Sequence, residues 1–307
     1  MDFFSFESFV KKLDRNYFNI NVVGKSVLKQ NIYSISTKFK TKHVAIITAA
    51  IHAREHISCD VVCKMIELLQ EQRPILQYNV IFVPLLNPDG ANFCKNGLKN
   101  ADKCLKKHLI SINNCENFEL FKANANGVDL NNNFDANWHN QFSKRHSPSP
   151  QGYYGKRPFS EPETVALKKL TERLRPFLTI SYHLKGEEIY YDFFQCGKRR
   201  ERDKKIAEIF AKNTGYKIVA TQSVSSGGYK DWCVQKLKIP ALTIELGDDK
   251  FSHPYPESEI DNIFEKNKGV FDCISHALLV YNEFGEDNGR KIYEKSSCAR
   301  KASLRSR

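Results

Sequence analysis

The sequence predicts an α/β fold, a single domain in which a mixed, twisted central sheet is flanked by helices. Three observations carry this. Short apolar runs rich in Val, Ile, Leu and Phe alternate along the chain with amphipathic segments of helical period. That interleaving is the signature of strands covered by helices rather than of a bundle or a sandwich. No linker or internal repeat divides the chain, and 307 residues suffice for one large core.

Taken in order, NIYSIST (31–37) and HVAIITAAI (43–51) read as strands, and SCDVVCKMIELLQEQ (58–72) as a helix. YNVIFVPLL (78–86) is the next strand, followed by a long irregular stretch. A helix begins in SEPETVALKKLTERLR (160–175), where Ser160 and Glu163 have the spacing of a capping box. Strands FLTISYH (177–183) and EEIYYDFF (187–194) come next, and then the helix RERDKKIAEIFAKNTG (200–215). Strand IPALTIEL (239–246) and one last helix over DNIFEKNKGVFDCISHALLVYNEF (261–284) complete the domain, which is expected to span residues 1–285.

Composition excludes several classes. An apolar fraction of 41% with 27% charged residues is that of an ordinary globular protein. The longest apolar runs are about eight residues, where a membrane span needs roughly twenty. The amino terminus MDFFSFESFVKKLDRN lacks the basic start and apolar core of a secretory signal, so a cytoplasmic location is expected. Nine cysteines without a CxxC pair argue against a disulfide framework or a structural zinc cluster. The net charge of +12 is inflated by residues 286–307, expected to form a basic, disordered tail. No helix-turn-helix, zinc finger or aromatic RNA-binding pattern accompanies the charge, so no specific nucleic-acid partner is expected. The sequence sets no oligomeric state.

Three of the strands end in reactive residues. HVAIITAAI runs into His52 and, three positions on, Glu55; FLTISYH ends at His183; IPALTIEL carries Glu245. Active sites of open α/β sheets gather at strand carboxyl ends, so residues distant in sequence can meet there. Two histidines and one carboxylate with an open fourth position form the ligand set of a catalytic zinc. Glu245 is then left as a general base. Taken singly, each residue also suits a hydrogen-bonded structural role.

The order of the surrounding motifs adds to this. IHAREHIS (51–58), LLNPDGAN (85–92), ANANGVDLNNNFDANW (123–138), PFSEPET (158–164), ISYH (180–183), SGGYKDW (226–232) and LTIELG (242–247) together resemble the zinc carboxypeptidases, the M14 metallopeptidases. The resemblance spans about residues 10 to 280, with no activation prodomain expected before it. Within the family the chain looks most like bacterial γ-D-glutamyl-diaminopimelate peptidases.

The resemblance implies one Zn2+ per chain on His52, Glu55 and His183, with Glu245 transferring protons. Asp129 would hydrogen-bond a ligand histidine, unless it is a solvated turn residue. Arg54 would contact substrate, with a surface salt bridge as the alternative. His56 has no implied role beyond starting a helix. The family's carboxylate-clamping arginine is replaced by Asn132 within Asn131-Asn132-Asn133-Phe134, leaving Asn131 as a neutral donor. That departure argues against general removal of C-terminal residues. Lys122 is the nearest basic residue to the place of the arginine that steadies the oxyanion, although it also suits a solvated loop. Lys230, just before the Asp-Trp pair, would pair with an anionic group on the substrate or else reach solvent. For the family's mobile tyrosine, counting lands on Ser223, with Tyr229 nearby.

The implied substrate is a peptide or muropeptide, cut between γ-D-glutamate and diaminopimelate. Two alternatives stay open: a carboxypeptidase acting on ordinary peptide tails, and a non-catalytic peptide binder.

Overall fold

The computed structural model describes residues 1–140, 145–219 and 227–284. The chain begins with helix α1 (Phe3–Lys12), strands β1 (Phe18–Lys25), β2 (Asn31–Thr37) and β3 (Val44–Thr48), helix α2 (Ile57–Gln72) and strand β4 (Asn79–Val83). Helices α3 (Pro88–Asn96), α4 (Lys103–Asn113) and α5 (Pro162–Leu174) follow, then strands β5 (Leu178–Leu184) and β6 (Glu188–Tyr190), helix α6 (Gly197–Thr214) and strand β7 (Lys217–Val219). The short helix α7 (Tyr229–Trp232), strand β8 (Ala241–Leu246), and helices α8 (Ile260–Asn267) and α9 (Val270–Glu283) complete the order.

The eight strands make one mixed sheet in the order β1-β2-β4-β3-β5-β8-β6-β7. Its centre, β4-β3-β5-β8, is parallel, while β1, β2 and the β6-β8 pairing are antiparallel. Central parallel strands are covered on both faces, which is why all seven residues of β5 are buried. On one face Ile180, Tyr182, Ile189 and Ile244 join Val62, Met65 and Ile66 of α2 and Ile274 and Ala277 of α9. On the other, Ile46, Ile81 and Ala241 pack with Ala166, Leu167 and Leu170 of α5 and with Phe134, Tyr229 and Trp232. Truncating a side chain such as Ile180 to alanine in so closed a core costs about 2–5 kcal/mol.

Several local expectations are corrected. The proposed irregular stretch after β4 contains α3, whose Asn87 cap accepts from the Gly90 amide at 3.1 Å, and α4, capped by Asp102. The helix after residue 160 starts at Pro162, with Glu161 at the N-cap, so the capping box does not form. Glu163 instead turns inward, where it accepts from the Val27 amide at 3.1 Å and from Asn124 Nδ2 at 3.2 Å. Of EEIYYDFF only three residues pair as a strand, and the last helix breaks at Gly269 into α8 and α9. Helix α1 and strand β1 carried no expectation. The basic tail lies outside the described residues.

Gly90 explains the Asn-Pro-Asp-Gly motif. A Cβ there would sit 2.6 Å from the Ala53 Cβ and 2.8 Å from the Ala123 carbonyl oxygen. Only glycine lets α3 press this closely on the turn that follows β3.

Candidate active site

Beyond β3 the chain runs through buried Ala49–Ile51 to His52, which precedes a single tight turn, Ala53–Glu55, leading into α2. The turn is held from the side by the Ala53 amide, which donates to the Lys122 carbonyl at 3.1 Å. It brings His52 and Glu55 to face one point, with His52 Nδ1 2.8 Å from Glu55 Oε1. Strand β5 supplies His183, whose Nδ1 lies 3.1 Å from Glu55 Oε2 and 3.2 Å from His52 Nδ1. All three residues are at least 95% buried.

The triangle fits a metal ion. Tetrahedral zinc with bonds of about 2.0–2.1 Å holds its ligand atoms roughly 3.3 Å apart, close to the spacings here. His52 Nε2 and Asp129 Oδ1 are buried atoms without a hydrogen-bond partner, facing one another at 3.4 Å. An imidazole that offers Nδ1 to a cation must carry its proton on Nε2, and Asp129 is the acceptor positioned for it. On the other imidazole, His183 Nε2 lies 3.2 Å from Ser181 Oγ.

The electrostatics suit a cation as well. Burial opposes charge on Glu55, but His52 and His183 outweigh it and hold the carboxyl well below the usual range. Asp129 is likewise buried yet held far down by Lys122 and His52, with Lys122 Nζ 3.3 Å from Asp129 Oδ2. Burial works to lower the Lys122 ammonium, but Asp129 and Glu55 raise it overall, so this lysine stays charged. It is no solvated loop residue.

Glu245 occupies the position on β8 paired with His183 on β5, and strand alternation points both to the same face. Burial raises its carboxyl to about 7; the negative charges of Glu55 and Glu188 also push it up, against the pull of His183 and Lys122. A half-buried carboxyl near neutrality beside a triangle that fits a metal ion can accept and return a proton.

The remaining residues named from the sequence fall out differently. Arg54 leaves the turn toward Gln151, with Nη1 3.3 Å from its Oε1 and a buried, unpartnered Nε. Asn131 Oδ1 accepts from the Tyr229 amide at 3.0 Å, tying two loops together. The Asn132 carbonyl presses against Gly227, where a Cβ would come within 2.5 Å of it. Lys230 is tucked in, with Nζ 2.9 Å from the Asp192 carbonyl oxygen and 2.6 Å from Asp231 Oδ1. His56 starts α2 and places Nδ1 3.1 Å from the Met1 amino nitrogen.

Tyr229 is a correction. It is fully buried among Phe134 and Trp232, and its hydroxyl is 2.8 Å from Thr171 Oγ1. Such a side chain is core and cannot swing over a substrate. Ser223 lies outside the described residues.

Three contributors had no place in the sequence reading. Ser181 could have been found, because it sits two residues before His183 on the same strand face. Asn124 could not: its Oδ1 accepts from the Asn126 and Val128 amides while its Nδ2 donates to Glu161 and Glu163, fixing the loop that delivers Asp129. Glu188 owes its position to a long-range strand pairing that no spacing reveals.

With this geometry in view, the family can be stated. The sequence profile of the zinc carboxypeptidases, Peptidase M14, matches residues 6–269. The chain belongs to the zinc carboxypeptidase family. It is therefore a metallopeptidase, a hydrolase of peptide substrates. One similar protein is the gamma-D-glutamyl-L-diamino acid endopeptidase 1 of Lysinibacillus sphaericus, 32% identical over 279 residues, covering 85% of this chain and 69% of that protein. Murein peptide amidase A of Escherichia coli K12 is 29% identical over 162 residues, 49% of this chain and 63% of its own. Among solved structures, bovine thrombin-activatable fibrinolysis inhibitor, in complex with tick carboxypeptidase inhibitor, superposes with a TM-score of 0.73 at 20% identity, covering 91% of this chain and 97% of that one. That likeness concerns the fold, and it matches the mixed eight-stranded sheet. Among the described residues no helix is long and apolar enough to cross a membrane.

Proposed function

We propose that the protein is a zinc-dependent peptidase that hydrolyses the γ-D-glutamyl to diaminopimelate amide bond of peptidoglycan-derived peptides, working in the cytoplasm with one zinc ion per chain. The observation that carries the catalytic part is the convergence of His52 Nδ1, His183 Nδ1 and Glu55 within about 3 Å of one another, with Glu245 paired to His183 on the next strand. Support for the substrate comes from the 32% identity to an endopeptidase named for γ-D-glutamyl-diamino acid bonds, and from the neutral Asn132 where a terminal carboxylate would need a cation.

When bound, zinc supplies Lewis acidity, lowering the pKa of an attacking water and polarising the scissile carbonyl. His52, Glu55 and His183 are the residues that hold it. Glu245 takes the proton from the attacking water and delivers it to the leaving amine, a task suited to a carboxyl raised to about 7. Lys122 keeps a positive charge beside the ligands and is the side chain that steadies the oxyanion. Asp129 fixes the tautomer of His52. We assign contacts with the substrate's flanking groups to Arg54, Asn131, Asn132 and Lys230.

The test is incubation of purified protein with L-alanyl-γ-D-glutamyl-diaminopimelate, with and without a chelator, followed by mass spectrometry. Free diaminopimelate should form only without chelator. An intact tripeptide in the presence of zinc would sink the substrate assignment.

A further inference from the structure

We infer that Glu188 is a specificity residue, its carboxylate pairing with an ammonium group carried by the substrate residue on the leaving-group side of the cut bond. This rests on the peptidase reading above and deepens it by naming what selects diamino acids.

Strand β6 runs antiparallel to β8 with Glu188 opposite Glu245 and Tyr190 opposite Thr243. His183 is in turn paired with Glu245 on the far side of β8. Partnered residues point to one face, so His183, Glu245 and Glu188 form a row across three neighbouring strands. The intervening Ile189 and Ile244 are fully buried in the core on the opposite face. The Glu188 carboxylate therefore stands half-exposed beside Glu245, on the side away from His183, and because Glu245 hands its proton to the departing amine, we seat the leaving residue there.

On its other side its register partner is Lys217 of β7, and the two form no ion pair. The Tyr190 hydroxyl donates to Glu188 Oε2 at 2.5 Å, and among the described residues no lysine or arginine forms an ion pair with it. Two carboxylates directly opposite on paired strands repel one another, and here the charge of Glu188 helps to push up the Glu245 carboxyl. Such an arrangement costs stability, and in a chain of net charge +12 it is not for want of cations. A ligand ammonium supplies the missing charge. Lys230 has the opposite character: its ammonium is already matched by Asp231 and by the Asp192 carbonyl, two residues beyond Tyr190. Recognition of the leaving residue thus depends more on its amino group, through Glu188, than on a distal carboxylate through Lys230. Lysine should serve in place of diaminopimelate, and norleucine should not.

The experiment compares the zinc-loaded wild type, Glu188→Gln and Tyr190→Phe on γ-D-glutamyl peptides whose leaving residue is diaminopimelate, lysine or norleucine. The wild type should favour the first two over norleucine at least tenfold in kcat/KM. Glu188→Gln should lose about tenfold or more on those two, through KM, and much less on norleucine, with Tyr190→Phe moving the same way by less. An equal loss on all three substrates would show that Glu188 acts only through Glu245 or the fold and would overturn the inference. A wild type without preference for the amines overturns it too. Should the γ-glutamyl bond resist while ordinary α-linked peptides are cut, the substrate reading fails alone, and the lysine and norleucine pair in α-linkage still decides the role of Glu188.

Discussion

His183 and Glu245 are cross-strand partners on adjacent parallel strands, so the sheet itself sets the distance between an imidazole of the proposed metal triangle and the carboxyl proposed to move protons. Replacing Glu245 with glutamine keeps the shape and removes the proton acceptor. Turnover should fall 10²- to 10⁴-fold while the zinc content, measured by atomic spectroscopy, stays at one per chain.

Asp129 faces His52 Nε2, through which it is proposed to act on the metal, and its charge also balances Lys122. Asp129→Asn should weaken zinc affinity or activity 10- to 100-fold, read by competition with a chelating dye.

Removing the metal leaves three ligand groups crowded within about 3 Å without the charge that reconciles them. Dialysis against a chelator should abolish hydrolysis and lower Tm, and zinc should restore both. Free zinc at a thousandfold excess over Kd stabilises by about 4 kcal/mol. Unchanged melting after verified zinc loading would contradict the ligand assignment.

Glu163 is fully buried, and burial, together with the charges of Asp89 and Glu161, raises its carboxyl to about 8. The folded state therefore holds a proton that the unfolded chain releases above the ordinary glutamate range. Stability contributed by this group is intact at low pH and is lost as pH rises toward 8. Glu163→Gln should remove that slope, so that the variant gains on the wild type in thermal melts between pH 5 and pH 8.

Tyr229→Phe removes one buried hydroxyl bond to Thr171. It should cost about 1 kcal/mol in denaturant unfolding and leave kcat/KM unchanged, as befits a core residue.

Much of this was legible in the residues alone. The strands with buried, β-branched runs were visible because both faces are covered, and His52, Glu55, His183 and Glu245 were visible because they punctuate strand ends. What could not be read depends on tertiary context. The capping box failed because Pro162 took the first helical position and Glu163 found partners in Val27 and Asn124, far away in sequence. Tyr229 lay near the counted position of the mobile tyrosine, yet packing among Phe134 and Trp232 decided its fate. Glu188 gained its place only through the reversal of direction at β6.

His52 and His183 are 131 positions apart, and the proton-moving carboxyl waits on the strand inserted later still. During synthesis, then, a growing chain can complete its pair of imidazoles well before Glu245 has left the ribosome. The complete arrangement, with the carboxyl beside the imidazoles, exists only once β8 slots between β5 and β6.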